Sequence, residues 1–161
     1  MSKMNPEEMS DKAQKLFVEG FHCSQAVFTV GAELVEIEAP QVVSALAPFG
    51  GGLASTGGIC GSLPGALAAL GLVMGKKEPR ARDHKMIWRL SYSMVRAFDE
   101  ITSGYGGPDC SDIARVDWKD RDQVIAFRKD PASRRKECLK VIGETAAALG
   151  RILQKLDPDA T

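Results

Sequence analysis

The sequence is poor in the side chains from which most active sites are assembled. Of 161 residues only two are histidines, His22 and His84, so no Ser-His-Asp or Cys-His-Asn arrangement can be argued from a choice of bases. The four cysteines, Cys23, Cys60, Cys110 and Cys138, contain no C-x-x-C pair and no C-x-x-C-H. A zinc ribbon, a thioredoxin-type dithiol and covalent haem attachment are therefore excluded as local motifs, although distant thiols can still converge in space. Neither sign of charge is in excess, with 21 basic and 21 acidic residues, so no global field draws in nucleic acid or an anionic membrane. The opening Met1-Ser2-Lys3-Met4-Asn5-Pro6-Glu7-Glu8 lacks the apolar core of a secretory signal, and the expected location is cytoplasmic. In that reducing setting permanent disulfides are disfavoured, and transient redox chemistry or metal binding is the better use for four thiols.

One stretch lacks charge altogether. From Ala39 to Gly75 there is no Asp, Glu, Lys, Arg or His, in a chain that is 26% charged. Its middle, Gly50-Gly51-Gly52-Leu53-Ala54-Ser55-Thr56-Gly57-Gly58, runs through Ile59-Cys60-Gly61-Ser62-Leu63-Pro64-Gly65 into the apolar run Ala66 to Met74. The pattern predicts a buried glycine-rich loop feeding a buried helix, with Cys60 at the join. A membrane span over Ile59 to Gly75 is not expected, because Pro64 and repeated glycine interrupt a run already short for a bilayer. The passage has the glycine spacing of a phosphate-binding loop, but Gly58 stands where lysine is required and Ile59 where Ser or Thr would hold magnesium. Tight backbone packing is the better reading of these glycines.

Elsewhere the periodicity is helical. Asn5 and Pro6 predict an N-cap and first residue for a helix over 6–19, stopped by Gly20. Cys23, Val27, Val30 and Leu34 share one face of a second helix, so Cys23 is expected to point inward. Pro40 to Ala47 predicts a short third helix ended by Pro48. The fourth is expected to start beside Cys60, either with Ser62 as N-cap and Pro64 in the first turn or from near Gly58 with Pro64 kinking it. Ile87, Leu90, Met94, Phe98 and Ile101 predict a long helix over 81–103. Asp109-Cys110 opens a short one, 116–130 reads as a covering loop with one helical turn, and a final helix from Pro131 carries Cys138 on its apolar seam and stops before Pro158. No segment alternates as a strand does. The expected fold is all-α, a single domain over 1–161 built as a bundle of five to six helices around the glycine-rich loop.

Cys23, Cys60 and Cys110 thus fall at predicted helix starts, where unpaired N–H groups favour thiolate over thiol. The opposing reading is that each is an inert buried thiol. His22 adjoins Cys23 and is a candidate to tune it or to contact a cofactor, as are Gly58 and Gly61 beside Cys60. A capping or surface role is the commoner reading of His22; His84 lies one turn before Ile87, on or near the apolar face, and a metal or haem ligand is not its expected role.

The order Cys23, glycine passage, Cys60-Gly61-Ser62-Leu63-Pro64-Gly65, Cys110 and Cys138 resembles the C-GCAxxG-C-C family of redox-active proteins. That family is built on four cysteines, the second in a C-G-A-x-x-G motif, and its first lies in a phrase similar to His22-Cys23-Ser24-Gln25-Ala26-Val27. The likeness runs from about Gly20 to Leu149, with Ser62 in place of the usual alanine and Pro64 added beside it. It implies a small helical domain whose four cysteines act together. The leading expectation is thiol/disulfide chemistry with an unknown redox partner, Cys60 attacking and Cys23 resolving. The alternatives are an iron-sulfur cluster or another soft metal held by Cys23, Cys60, Cys110 and Cys138, and a helical interaction module, such as a homo-oligomer, in which the thiols are passengers.

Overall fold

Asn5 starts the first helix by the means its side chain offers. Its Oδ1 accepts the Glu8 N–H at 2.9 Å while the Glu8 carboxylate accepts the Asn5 N–H at 2.8 Å, a reciprocal cap that satisfies two donors a helix start leaves free. The computed structural model describes residues 1–156. Among them are eight α-helices: α1 Pro6–Val18, α2 Cys23–Leu34, α3 Pro40–Ala45, α4 Ser62–Met74, α5 Ile87–Thr102, α6 Cys110–Ile113, α7 Arg121–Lys129 and α8 Arg135–Leu153. There is no strand among the described residues, only an isolated antiparallel bridge between Ile59 and Asp109.

The all-α expectation holds, but eight helices replace the five or six expected. One of them, α7, stands in the segment expected to be a loop with one helical turn. Asp120 caps it, accepting the N–H groups of Asp122 and Gln123 at 2.9 and 3.2 Å. The helix expected from residue 81 begins only at Ile87. Residues ahead of it are tied into a polar turn instead, where the Lys76 N–H donates to Asp83 at 2.8 Å and the His84 N–H to the Met74 carbonyl at 2.9 Å. The last helix begins at Arg135 rather than Pro131, and its expected stop at Pro158 lies outside the described residues.

α8 is the central element, contacting α1, α2, α4 and α5. Phe28, Leu70, Met94, Phe98, Ile142 and Leu149 are all buried between these helices. Burial of each such side chain contributes roughly 1.5–3 kcal/mol against leaving it in water. No helix among the described residues is long and apolar enough to cross a membrane.

The uncharged stretch divides into two unlike halves. α4 is buried as its composition demands, with Ala66 and Leu70 inaccessible to solvent. The loop before it is not the buried loop expected: Leu53 is 40% exposed and residues 53–56 lie at the surface. Gly51, Gly52, Leu53, Ala54 and Ser55 all have positive φ, from 51° to 71°, so this piece of chain winds left-handed. Such a turn closes on itself, the Ser55 N–H reaching Gly50 and the Gly57 N–H reaching Gly51, and it can satisfy its backbone without being covered.

Candidate functional site

Three of the four cysteines stand where a helix begins. Cys23 is the first residue of α2, Cys110 the first of α6, and Cys60 directly precedes Gly61, the N-cap of α4. Cys138 lies in the first turn of α8. All four line one cavity of about 300 Å³, with Phe17, Pro48, Ile113, Trp118 and Ile142 among its walls and Arg128 beside them.

Two local devices bring the sulfurs there. The first is a pair of missing side chains. A Cβ on Gly61 would sit 2.8 Å from the Cys23 sulfur and 2.7 Å from the Phe49 carbonyl, and one on Gly65 would collide with the Ser24 carbonyl. These glycines let α4 close on the start of α2, so that Cys23 and Cys60 become neighbours. The second device is the Ile59–Asp109 bridge. The Cys60 N–H donates to the Pro108 carbonyl at 3.0 Å and the Cys110 N–H to the Gly58 carbonyl at 2.7 Å, setting Cys110 across from Cys60. Gly52 must be glycine for the same reason, since a Cβ there would meet Gly58 and lie 2.7 Å from the Cys110 Cβ.

The four thiols ionise differently. Cys60 is held below the ordinary thiol range, to about 7, first by the Cys23 thiol that hydrogen-bonds its thiolate and then by Ser62, against the opposing cost of burial. Cys23 is raised well above that range by the same neighbour and by burial. Part of Cys23 reaches the surface, but its sulfur is enclosed, and the pair therefore shares one proton with the charge on Cys60. Burial pushes Cys110 up to about 11 and Cys138 higher still. A helix start alone thus does not make a thiolate. Cys110 begins a helix of only four residues, too short for a useful dipole, with the Asp109 carboxylate beside it.

Two partners of the sulfurs were not singled out from the sequence. The Trp118 indole N–H donates to the Cys110 sulfur at 3.3 Å, and its ring stands edge-on to Phe127 with centroids 5.2 Å apart. The available signal was that a tryptophan in a charged segment still needs a partner for its N–H. Ser62, considered as an N-cap, is instead the first residue of α4. Its hydroxyl is fully buried and makes no hydrogen bond of ordinary geometry, and from beside the Cys60 sulfur it helps to hold the thiolate.

The remaining candidates lie close by or outside. His22 lines the cavity, its ring against Gly50, where a Cβ would be 2.8 Å from Nδ1. Gly58 has both backbone groups engaged, its N–H on Gly52 and its carbonyl accepting from Cys110. Gly61 makes room for Cys23, and its carbonyl accepts the Gly65 N–H. His84 is exposed and outside the cavity, its Nδ1 accepting the Met86 N–H at 3.2 Å near the start of α5. Among the described residues no three His, Cys, Asp or Glu side chains are grouped to hold a metal ion. The side chains form a close thiol pair with two further thiols, rather than a metal cage.

No curated protein and no solved structure matches this sequence. A family profile does match, over residues 21–152, which takes in all four cysteines and the glycine passage between the first two. The chain belongs to the C_GCAxxG_C_C family, described as putative redox-active proteins.

Proposed function

We propose that the protein is a thiol oxidoreductase in which Cys60 attacks and Cys23 resolves. The observation that carries this reading is the adjacency of these two thiols at the Gly61 gap, with one proton between them. The Cys60 thiolate attacks an oxidised substrate and expels its reduced leaving group, forming a covalent bond from sulfur to the rest of the substrate. Cys23 then gives up its proton and attacks the Cys60 sulfur, which releases the remainder of the substrate. Two electrons have passed from the thiol pair to the substrate, and a Cys23–Cys60 disulfide remains.

The timing is built into the pair. The largest cause keeping Cys23 protonated is its neighbour Cys60. Once Cys60 is covalently engaged its charge is gone, and Cys23 ionises more readily at the moment it has to attack. A dithiol partner returns the pair to the reduced state by exchange, itself leaving as a disulfide. Cys110 and Cys138, both strongly protonated, serve as the apolar opposite wall. A reducing, cytoplasmic setting suits a pair that must be regenerated.

Thiol counting before and after oxidation, with mass spectrometry of linked peptides, tests the reading. The expected result is loss of two thiols and a peptide linking Cys23 to Cys60. Four thiols that stay unpaired at every redox poise would overturn it.

A further inference from the structure

We propose that the oxidised substrate is a small organic hydroperoxide, with the buried Ser62 hydroxyl holding the oxygen that it leaves on Cys60. The inference rests on the thiol-pair reading above and adds the substrate class.

Access is the first argument. Cys60 is only 8% exposed and faces a cavity of about 300 Å³, at the small end of ligand pockets. A disulfide carried on a folded protein cannot bring its sulfur to that depth. The walls Phe17, Pro48, Ile113 and Ile142 suit a short alkyl or aryl group, with Arg128 and His22 in the polar part of the lining.

The poorly paired hydroxyl of Ser62 points the same way. Ser62 is 0% exposed, and its hydroxyl makes no hydrogen bond of ordinary geometry, only helping from beside the Cys60 sulfur to hold the thiolate until that charge is spent on the substrate. A buried hydroxyl so poorly paired is costly, and a site that keeps one has a use for its proton. A disulfide substrate would add only another sulfur, a weak acceptor. A hydroperoxide places an oxygen on the Cys60 sulfur, within reach of the waiting donor.

The chemistry balances as follows. The Cys60 thiolate attacks the terminal oxygen, the O–O bond breaks, and a sulfenic acid and an alkoxide form. Cys23 gives its proton to the alkoxide, which departs as the alcohol. The Cys23 thiolate attacks the sulfenic sulfur, and the S–O bond breaks as the disulfide forms. The hydroxide released takes a proton from solvent and leaves as water. The peroxide gains the two electrons that the thiol pair loses.

The test is a single turnover of the reduced full chain at pH 7 with cumene hydroperoxide, beside a parallel reaction with hydroxyethyl disulfide. One equivalent of alcohol per Cys23–Cys60 disulfide is expected. The rate should exceed that of free cysteine by more than the roughly tenfold that ionisation alone provides. In Cys23→Ser the sulfenic acid should persist on Cys60 and be trapped by dimedone. Ser62→Ala should slow both reactions by raising the Cys60 thiol, and compared at equal thiolate it should slow the hydroperoxide reaction on the order of tenfold or more beyond the disulfide reaction. Hydroperoxide reacting no faster than with free cysteine, while hydroxyethyl disulfide still links the pair, would overturn the substrate class alone. Equal slowing of both reactions in Ser62→Ala, compared at equal thiolate, would overturn the role given to Ser62. Failure of both oxidants to link Cys23 to Cys60 would overturn the thiol-pair reading beneath them.

Discussion

The two sides of the cavity carry the same residue twice and treat it in opposite ways. On one side Cys23 and Cys60 lie together at the crossing of α2 and α4, and the charge settles on Cys60. On the other, Cys110 and Cys138 sit among Phe127, Trp118 and Ala114 and stay protonated. Both sides have a helix start and both have a hydrogen-bond donor aimed at sulfur. The difference lies in the number of donors. Cys60 receives a thiol, a hydroxyl and a backbone N–H, enough to outweigh burial, whereas the single indole N–H on Cys110 is not. Reactivity here is decided by local donors more than by position along a helix.

The largest expected contrast between the two sides is in labelling. With thiolate pKa values near 7 for Cys60 and near 11 for Cys110, their ionised fractions at neutral pH differ on the order of a thousandfold or more. Iodoacetamide at pH 7, read by peptide mass spectrometry, should therefore modify Cys60 essentially alone. Its rate should rise with pH through about 7, because the thiolate appears as the proton leaves. Equal labelling of all four thiols would erase the distinction.

Removing the donor across the pair comes next. Cys23→Ala deletes the thiol that most stabilises the Cys60 thiolate, so the labelling midpoint should move up toward the free-cysteine value of about 8.5 and the rate at pH 7 should fall about tenfold. Cys23→Ser, which keeps a donor, should move it less. A midpoint that stays near 7 in both variants would assign the lowering to Ser62.

Closing the gap between α2 and α4 tests the geometry itself. Gly61→Ala drives a methyl group against the Cys23 sulfur and the Phe49 carbonyl, and urea unfolding should show a loss of about 1–3 kcal/mol. The same variant should link Cys23 to Cys60 poorly under oxidation. A fully stable variant with intact pairing would mean that the crossing tolerates more room than these distances allow.

The smallest effect is expected on the protonated side. Trp118→Phe keeps an aromatic ring against Phe127 but removes the N–H on Cys110, which should raise that thiol slightly and leave Cys60 labelling unchanged. A change at Cys60 would show that the two sides are coupled.

Much of the scaffold was legible in the residues. The Asn5 cap, the Leu90-Met94-Phe98 stripe and the apolar α4 each follow from a local rule, and each is found in place. The inward positions of Cys23 and Cys138 followed from helical spacing. The donors were not legible, because neither the two-residue step from Cys60 to Ser62 nor the eight-residue step from Cys110 to Trp118 follows a helical or strand period that would aim a donor at the sulfur. The surface position of residues 53–56 was missed for another reason. Lack of charge predicts burial, but a turn that satisfies its own backbone has no need of a cover. The helix α7 was hidden in a run of charged residues, where Asp120 was the available sign.

The left-handed turn has a stereochemical consequence. Leu53, Ala54 and Ser55 adopt a backbone hand that L-residues resist by roughly 1–2 kcal/mol apiece, yet the side chains of Ala54 and Ser55 form part of the cavity wall. Glycine at these places would relieve the backbone and remove the wall. A mirror-image amino acid would relieve the backbone while keeping a side chain: D-alanine introduced at position 54 by chemical synthesis should fit the inverted winding at ease, where the same substitution within α4 would strain the helix.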